Sequence, residues 1–147
     1  MRLWHYELLP YLPRCQLVSQ WRECCCIAKS IADKGTPNHI LVNKIMDYPI
    51  DHFMQYCNLV SKEMLDRGYK CNTSRLTKWT RKLTDTYRYI KNDDLFESWH
   101  DDIYLRQCLY NLEEKTLCGG IPFEEWCKIY EAFKDFTPLW SGEGVFI

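Results

Sequence analysis

The stretch Leu17-Val18-Ser19-Gln20-Trp21-Arg22-Glu23-Cys24-Cys25-Cys26-Ile27-Ala28-Lys29-Ser30-Ile31 decides the fold class. Leu17, Trp21, Cys24, Ala28 and Ile31 recur at intervals of three and four, the period of one helix face. Pro10 and Pro13 precede the run, and Gly35-Thr36-Pro37-Asn38 closes it. With that stripe turned to a core, Arg22 and Glu23 lie on the other side, with Ser19 and Cys26 between them. Taken alone, Arg22 and Glu23 read as an exposed charged pair.

The same period recurs downstream. A second helix is expected from about Ile50 to Arg67, with Phe53, Tyr56, Cys57, Val60 and Met64 on one side and Gly68 as its cap. A third is expected from about Thr73 to Ile90, with Leu76, Trp79, Leu83, Tyr87 and Ile90 apolar. A fourth fits Ser98 to Leu117, ended by Gly119-Gly120. A fifth starts at Pro122, where proline suits a first turn, and carries Phe123, Trp126, Tyr130 and Phe133. The tail from Thr137 to Ile147 has no clear period. No alternating strand pattern, repeat or low-complexity linker interrupts the series. The expectation is all-α: one compact domain over 1–147, built from about five helices.

Composition narrows the function. In 147 residues, 46% apolar and 15% aromatic, there is ample material for a core. No stretch approaches the roughly 18 apolar residues of a membrane span, and the start lacks the pattern of a signal peptide. A cytoplasmic chain without membrane contact is expected. Nine cysteines occur without a C-x-x-C pair, and His5, His39, His52 and His100 complete no ligand pattern. No metal or cofactor is expected, and the thiols read as reduced and mostly buried. Phosphate-loop, dinucleotide and serine- or cysteine-triad signatures are missing.

The net charge of −1 conceals a strong asymmetry. Residues 67–91 hold eight basic side chains (Arg67, Lys70, Arg75, Lys78, Arg81, Lys82, Arg88 and Lys91) against Asp85 alone. Residues 92–147 hold four basic and twelve acidic ones. The basic run suits phosphates, or else it is a solvated face paired with the acidic tail.

The whole amino-terminal stretch gives Arg22 and Glu23 more weight. Met1-Arg2-Leu3-Trp4, Leu8-Leu9-Pro10, Leu17 and Trp21-Arg22-Glu23, followed by Glu63-Met64 and Arg67-Gly68-Tyr69, resemble the pyrimidine-dimer DNA glycosylase (endonuclease V-like) family. The resemblance covers about the first 70 residues. It implies a DNA glycosylase with abasic-site lyase activity, acting on double-stranded DNA that carries a pyrimidine dimer or another damaged or modified base. It also implies a nucleophilic α-amine at the terminus. An α-amine titrates near 7.7–8.0 against about 10.4 for lysine, so roughly a tenth of it is neutral at pH 7. Glu23 matches the family's catalytic glutamate, which stabilises positive charge on the sugar and moves protons. Arg2 and Arg22 match arginines that hold phosphates, a task suited to a bidentate guanidinium. The target nucleotide, or its partner base, has to leave the stack.

Departures from the family pattern bear on substrate choice. In the family's phage member the initiator methionine is removed; here the bulk of Arg2 is expected to keep Met1, which then supplies the amine. Cys26 stands where that enzyme has an arginine and Gln16 where it has a histidine, and the chain is not strongly basic. DNA contact is therefore expected to be localised, on Arg75, Lys78, Arg81, Lys82 and Arg88, with His39 either at the DNA or capping its loop. Trp4 and Trp21 read as core rather than base-stacking residues, the Cys24-Cys25-Cys26 run reads as packing, and a monomer is favoured. The alternatives are a non-catalytic nucleic-acid-binding module that keeps the fold, and a protein-interaction domain whose basic segment docks an acidic partner.

Overall fold

A computed structural model describes residues 1–84 and 88–136, and the described residues hold helices and no strand. Among the described residues five α-helices follow one another: α1 (Arg14–Lys34), α2 (Ile50–Asp66), α3 (Thr73–Thr80), α4 (Asp102–Leu117) and α5 (Phe123–Ala132). Short 3₁₀ turns occupy Tyr6–Tyr11, Asn43–Asp47, Asn92–Asp94 and Lys134–Phe136. The expected all-α architecture is what the chain forms. Tyr87, assigned to the third helix, and the tail Thr137 to Ile147 lie outside the described residues.

Helix α1 is the central element, packed against both α2 and α3, while α4 packs on α5. Pro13 starts it with a preset φ of −56° and accepts the Leu17 amide at 3.0 Å. The expected stripe is buried as read, with Leu17, Cys24 and Ala28 fully enclosed. Each such leucine, taken out of water, contributes roughly 1.5–3 kcal/mol. Helix α2 ends as its glycine predicts. Gly68 sits at φ +78°, its amide reaches the Leu65 carbonyl, and the Tyr69 amide reaches back to Met64. This six-to-one and five-to-two pairing satisfies carbonyls that the helix end would leave open.

Two boundaries differ from the periodic reading. Helix α3 stops at Thr80 instead of running to Ile90, and residues 88–91 are not helical. Thr77 Oγ1 bonds the Thr73 carbonyl and Thr80 Oγ1 the Thr77 carbonyl, so β-branched hydroxyls compete with the helix ladder here. The chain then tightens into i→i+3 contacts, Lys82 to Trp79 and Leu83 to Thr80. Helix α4 begins at Asp102, four residues later than expected, because Asp101 Oδ1 caps the Tyr104 amide at 2.9 Å. Ser98 and Phe96 upstream hold φ of +69° and +50°, which no helix accepts. Burial of Phe96 among Tyr56, Trp99 and His100 offsets that backbone strain.

Candidate functional site

The first five residues lie outside any helix, and α1 presents Gln20 to the backbone of Arg2 and Trp4. Gln20, fully buried, accepts the Trp4 amide on Oε1 at 2.8 Å and donates from Nε2 to the Arg2 carbonyl at 2.9 Å. The same Nε2 lies 3.3 Å from Glu23 Oε2, and the Arg2 amide reaches that oxygen at 3.5 Å. Gln20 and Glu23 stand three residues apart, so they share one face of α1. The result is a carboxylate held against the very start of the chain. One residue spans at most about 3.6 Å, so the Met1 amine lies within about 7 Å of Glu23 Oε2.

Two tyrosines anchor the same arm from other helices. Tyr56 of α2, fully buried, donates to the Trp4 carbonyl at 2.6 Å, with Gln20 Oε1 2.9 Å away. Tyr104 of α4 donates to the Leu3 carbonyl at 2.6 Å. Burial pushes both hydroxyls well above their usual range, so both stay protonated donors. Arg67 fastens the following turn: its guanidinium donates to the carbonyls of Leu12 (2.7 Å), Leu9 (3.2 Å) and Pro10 (3.1 Å), and pairs with Glu63 at 2.8 Å. It therefore belongs to the scaffold rather than to the basic run in which the sequence places it.

The candidate residues fall into separate groups. Arg2, Glu23 and Met1 come together, with Arg22 exposed on the neighbouring helix position. The Arg2 guanidinium lies 5.5 Å over the Trp4 ring, half-buried beside Tyr104 and Cys108. Arg75, Lys78, Arg81 and Lys82 project from α3 and the turn behind it, all exposed. Among the described residues they take part in no ion pair, so pairing with the acidic segment is not what holds them. Arg88 is exposed in a non-helical segment apart from α3. His39 closes its own turn, accepting the Leu41 amide on Nδ1 and donating its amide to Asn43. Trp4 and Trp21 are core residues. Cys24 and Cys25 are buried and Cys26 exposed; burial pushes Cys25 up to about 11, and Cys24 higher than its usual range, which leaves thiols and not thiolates.

What the sequence reading missed is the part that Gln20, Tyr56, Tyr104 and Arg67 play in holding the amino-terminal arm. Gln20 carried one legible signal, a polar side chain one helical turn before Glu23. Gln16 shares that face, and its Oε1 is buried with no partner among the described residues.

Comparison with known proteins adds one finding. The family model for pyrimidine dimer DNA glycosylase matches residues 1–77, which takes in the amino-terminal arm, α1, α2 and the start of α3. Neither the search of curated proteins nor that of solved structures returns a match. The match covers half of the chain and holds every residue of the Met1–Glu23 constellation, and the chain belongs to the pyrimidine dimer DNA glycosylase family.

Proposed function

We propose that this chain is a DNA glycosylase with abasic-site lyase activity, with the α-amine of Met1 as nucleophile and Glu23 as its acid–base partner. The observation that carries the reading is the Arg2 amide and Gln20 Nε2 converging on Glu23 Oε2, one residue from the terminus. The amine lone pair attacks C1′ of the target nucleotide, and the glycosidic C–N bond breaks with its electrons leaving on the base. The sugar ring opens to an imine. Removal of a C2′ proton then expels the 3′ phosphate, and water returns the free amine. Glu23 opposes the positive charge that builds on the sugar and carries the protons.

Arg22 holds a backbone phosphate and Arg2 the inner edge of the same site, roles supported by the exposure of Arg22 beside Glu23 and by Arg2 lying over Trp4. Arg75, Lys78, Arg81 and Lys82 supply a cationic face for duplex DNA carrying the damaged or modified base; Arg88 and His39 stand as outlying contacts. The deciding experiment is borohydride trapping on duplexes with a pyrimidine dimer or an abasic site. A covalent adduct that is lost on Glu23→Gln and on acetylation of the terminus is expected. No adduct, or one indifferent to both changes, sinks the reading. Intact mass spectrometry of the active protein is expected to find Met1 retained with its amine free.

A further inference from the structure

Three ammonium groups surround one indole towards the C-terminal end of α1. Lys29 of α1, Lys78 of α3 and Lys82 of the following turn place Nζ at 5.7, 4.9 and 4.7 Å from the Trp79 ring centroid. Each contact is an attraction of an ammonium to the negative face of the ring. The three charges nevertheless repel one another, and among the described residues no carboxylate pairs with any of them. Trp79 is half-buried with its faces taken up by the lysines, so it organises cations and offers no free platform for a base.

The cluster is aligned with the candidate site. Arg22, Cys26 and Lys29 fall at i, i+4 and i+7, one exposed ridge of α1, with Glu23 about 100° round on one flank. Cys25 lies on the other flank, near Arg75 of α3. Seven residues of helix advance about 10.5 Å, which is longer than the roughly 3.4 Å by which successive charges of one strand advance along the duplex axis, so the two ends of the ridge suit different phosphates. Lys29 joins this ridge from within the family match, whereas Lys78 and Lys82 lie beyond residue 77.

We propose that Lys29, Lys78 and Lys82, gathered on Trp79, form a station for backbone phosphates of duplex DNA separate from the one held at Arg22. This rests on the DNA-repair reading of the amino-terminal site. It gives the chain a phosphate contact beyond the exposed Cys26, in the direction of the α1 ridge. Trp79 acts as a positioning residue: without its ring the three ammonium groups separate.

The test is a salt titration of binding to an undamaged duplex, from 50 to 200 mM salt, for the wild-type chain and for a variant combining Lys29→Gln, Lys78→Gln and Lys82→Gln. Each phosphate contact contributes about 0.9 to the slope of log K against log salt. The slope is expected to flatten by about 2–3 in the triple variant, partly in Trp79→Leu, and hardly in Trp79→Phe, which keeps an aromatic face. An unchanged slope in the triple variant overturns the station. Wild-type protein that binds polyglutamate as tightly as the duplex at equal salt overturns it in favour of an acidic protein partner. Borohydride trapping by the wild-type chain reports on catalysis independently. An adduct with an unchanged slope removes only the station, and a flattened slope without an adduct removes only the catalytic reading.

Discussion

Gln20 and Trp4 are joined by a 2.8 Å hydrogen bond from the Trp4 amide to Gln20 Oε1, and the other end of the same carboxamide holds the Arg2 carbonyl and borders Glu23. One side chain thus sets the distance between the chain terminus and the carboxylate. Gln20→Leu strands a buried amide and is expected to cost about 1–3 kcal/mol. It is also expected to lower the single-turnover rate by at least tenfold while DNA affinity changes little, because the terminus loses its place beside Glu23. Urea unfolding together with single-turnover kinetics checks both; a purely structural Gln20 leaves the rate of the folded fraction untouched.

Tyr56 and Tyr104 hold adjacent carbonyls of the arm but differ in depth. Tyr56→Phe leaves the Trp4 carbonyl without its donor in a site closed to water, a loss of about 1–3 kcal/mol. Tyr104 is less enclosed as a residue than Tyr56, so Tyr104→Phe is expected to cost less, about 1 kcal/mol. Urea midpoints of the two variants rank them; the reverse order contradicts the burial argument.

Arg67→Lys preserves the charge and removes the fork. The guanidinium spans Glu63 and three carbonyls of the amino-terminal turn, which one ammonium cannot reach together. A loss of about 1–3 kcal/mol is expected, read as a lower urea midpoint and faster proteolysis within residues 1–13. An unaltered midpoint makes the carbonyl contacts incidental.

Stability is expected to depend on pH through His5 and His100. The Glu7 amide donates to His5 Nδ1, and the Tyr6 amide donates to His100 Nδ1, so both rings are held neutral with the proton on Nε2. Desolvation by burial lowers His5 from 6.5 to about 4, against the smaller opposing pull of its hydrogen bond to the His100 carbonyl and of Asp101 and Asp102. Burial also holds His100 well below its usual range, and His5 adds to that. The unfolded chain takes up protons near 6.5 that the folded chain refuses. Stability is then full above about pH 6.5 and is lost as pH falls towards 4, at up to about 1.4 kcal/mol per pH unit for each ring. Urea midpoints between pH 7.5 and 4.5 check this, and a flat profile over that range refutes it.

Sequence alone determined what depends on neighbours a few residues away. The α1 stripe, the Gly68 cap, the start of α5 at Pro122 and the Trp21-Arg22-Glu23 motif are all local patterns, and helical period and capping act over one turn. The limits of α3 and α4 were less legible, since threonine hydroxyls and two left-handed residues outweighed an apolar period that continued past them. Only the tertiary structure decided who surrounds Glu23. Trp4 finds Gln20 across 16 residues, Arg67 finds Leu12 across 55, and Tyr104 finds Leu3 across 101. It likewise took Arg67 out of the basic run and brought Lys29 into it. A side chain's chemistry is written in the sequence, but its partner is whichever distant element the packing of α1, α2 and α4 delivers, and no period along the chain encodes that arrival.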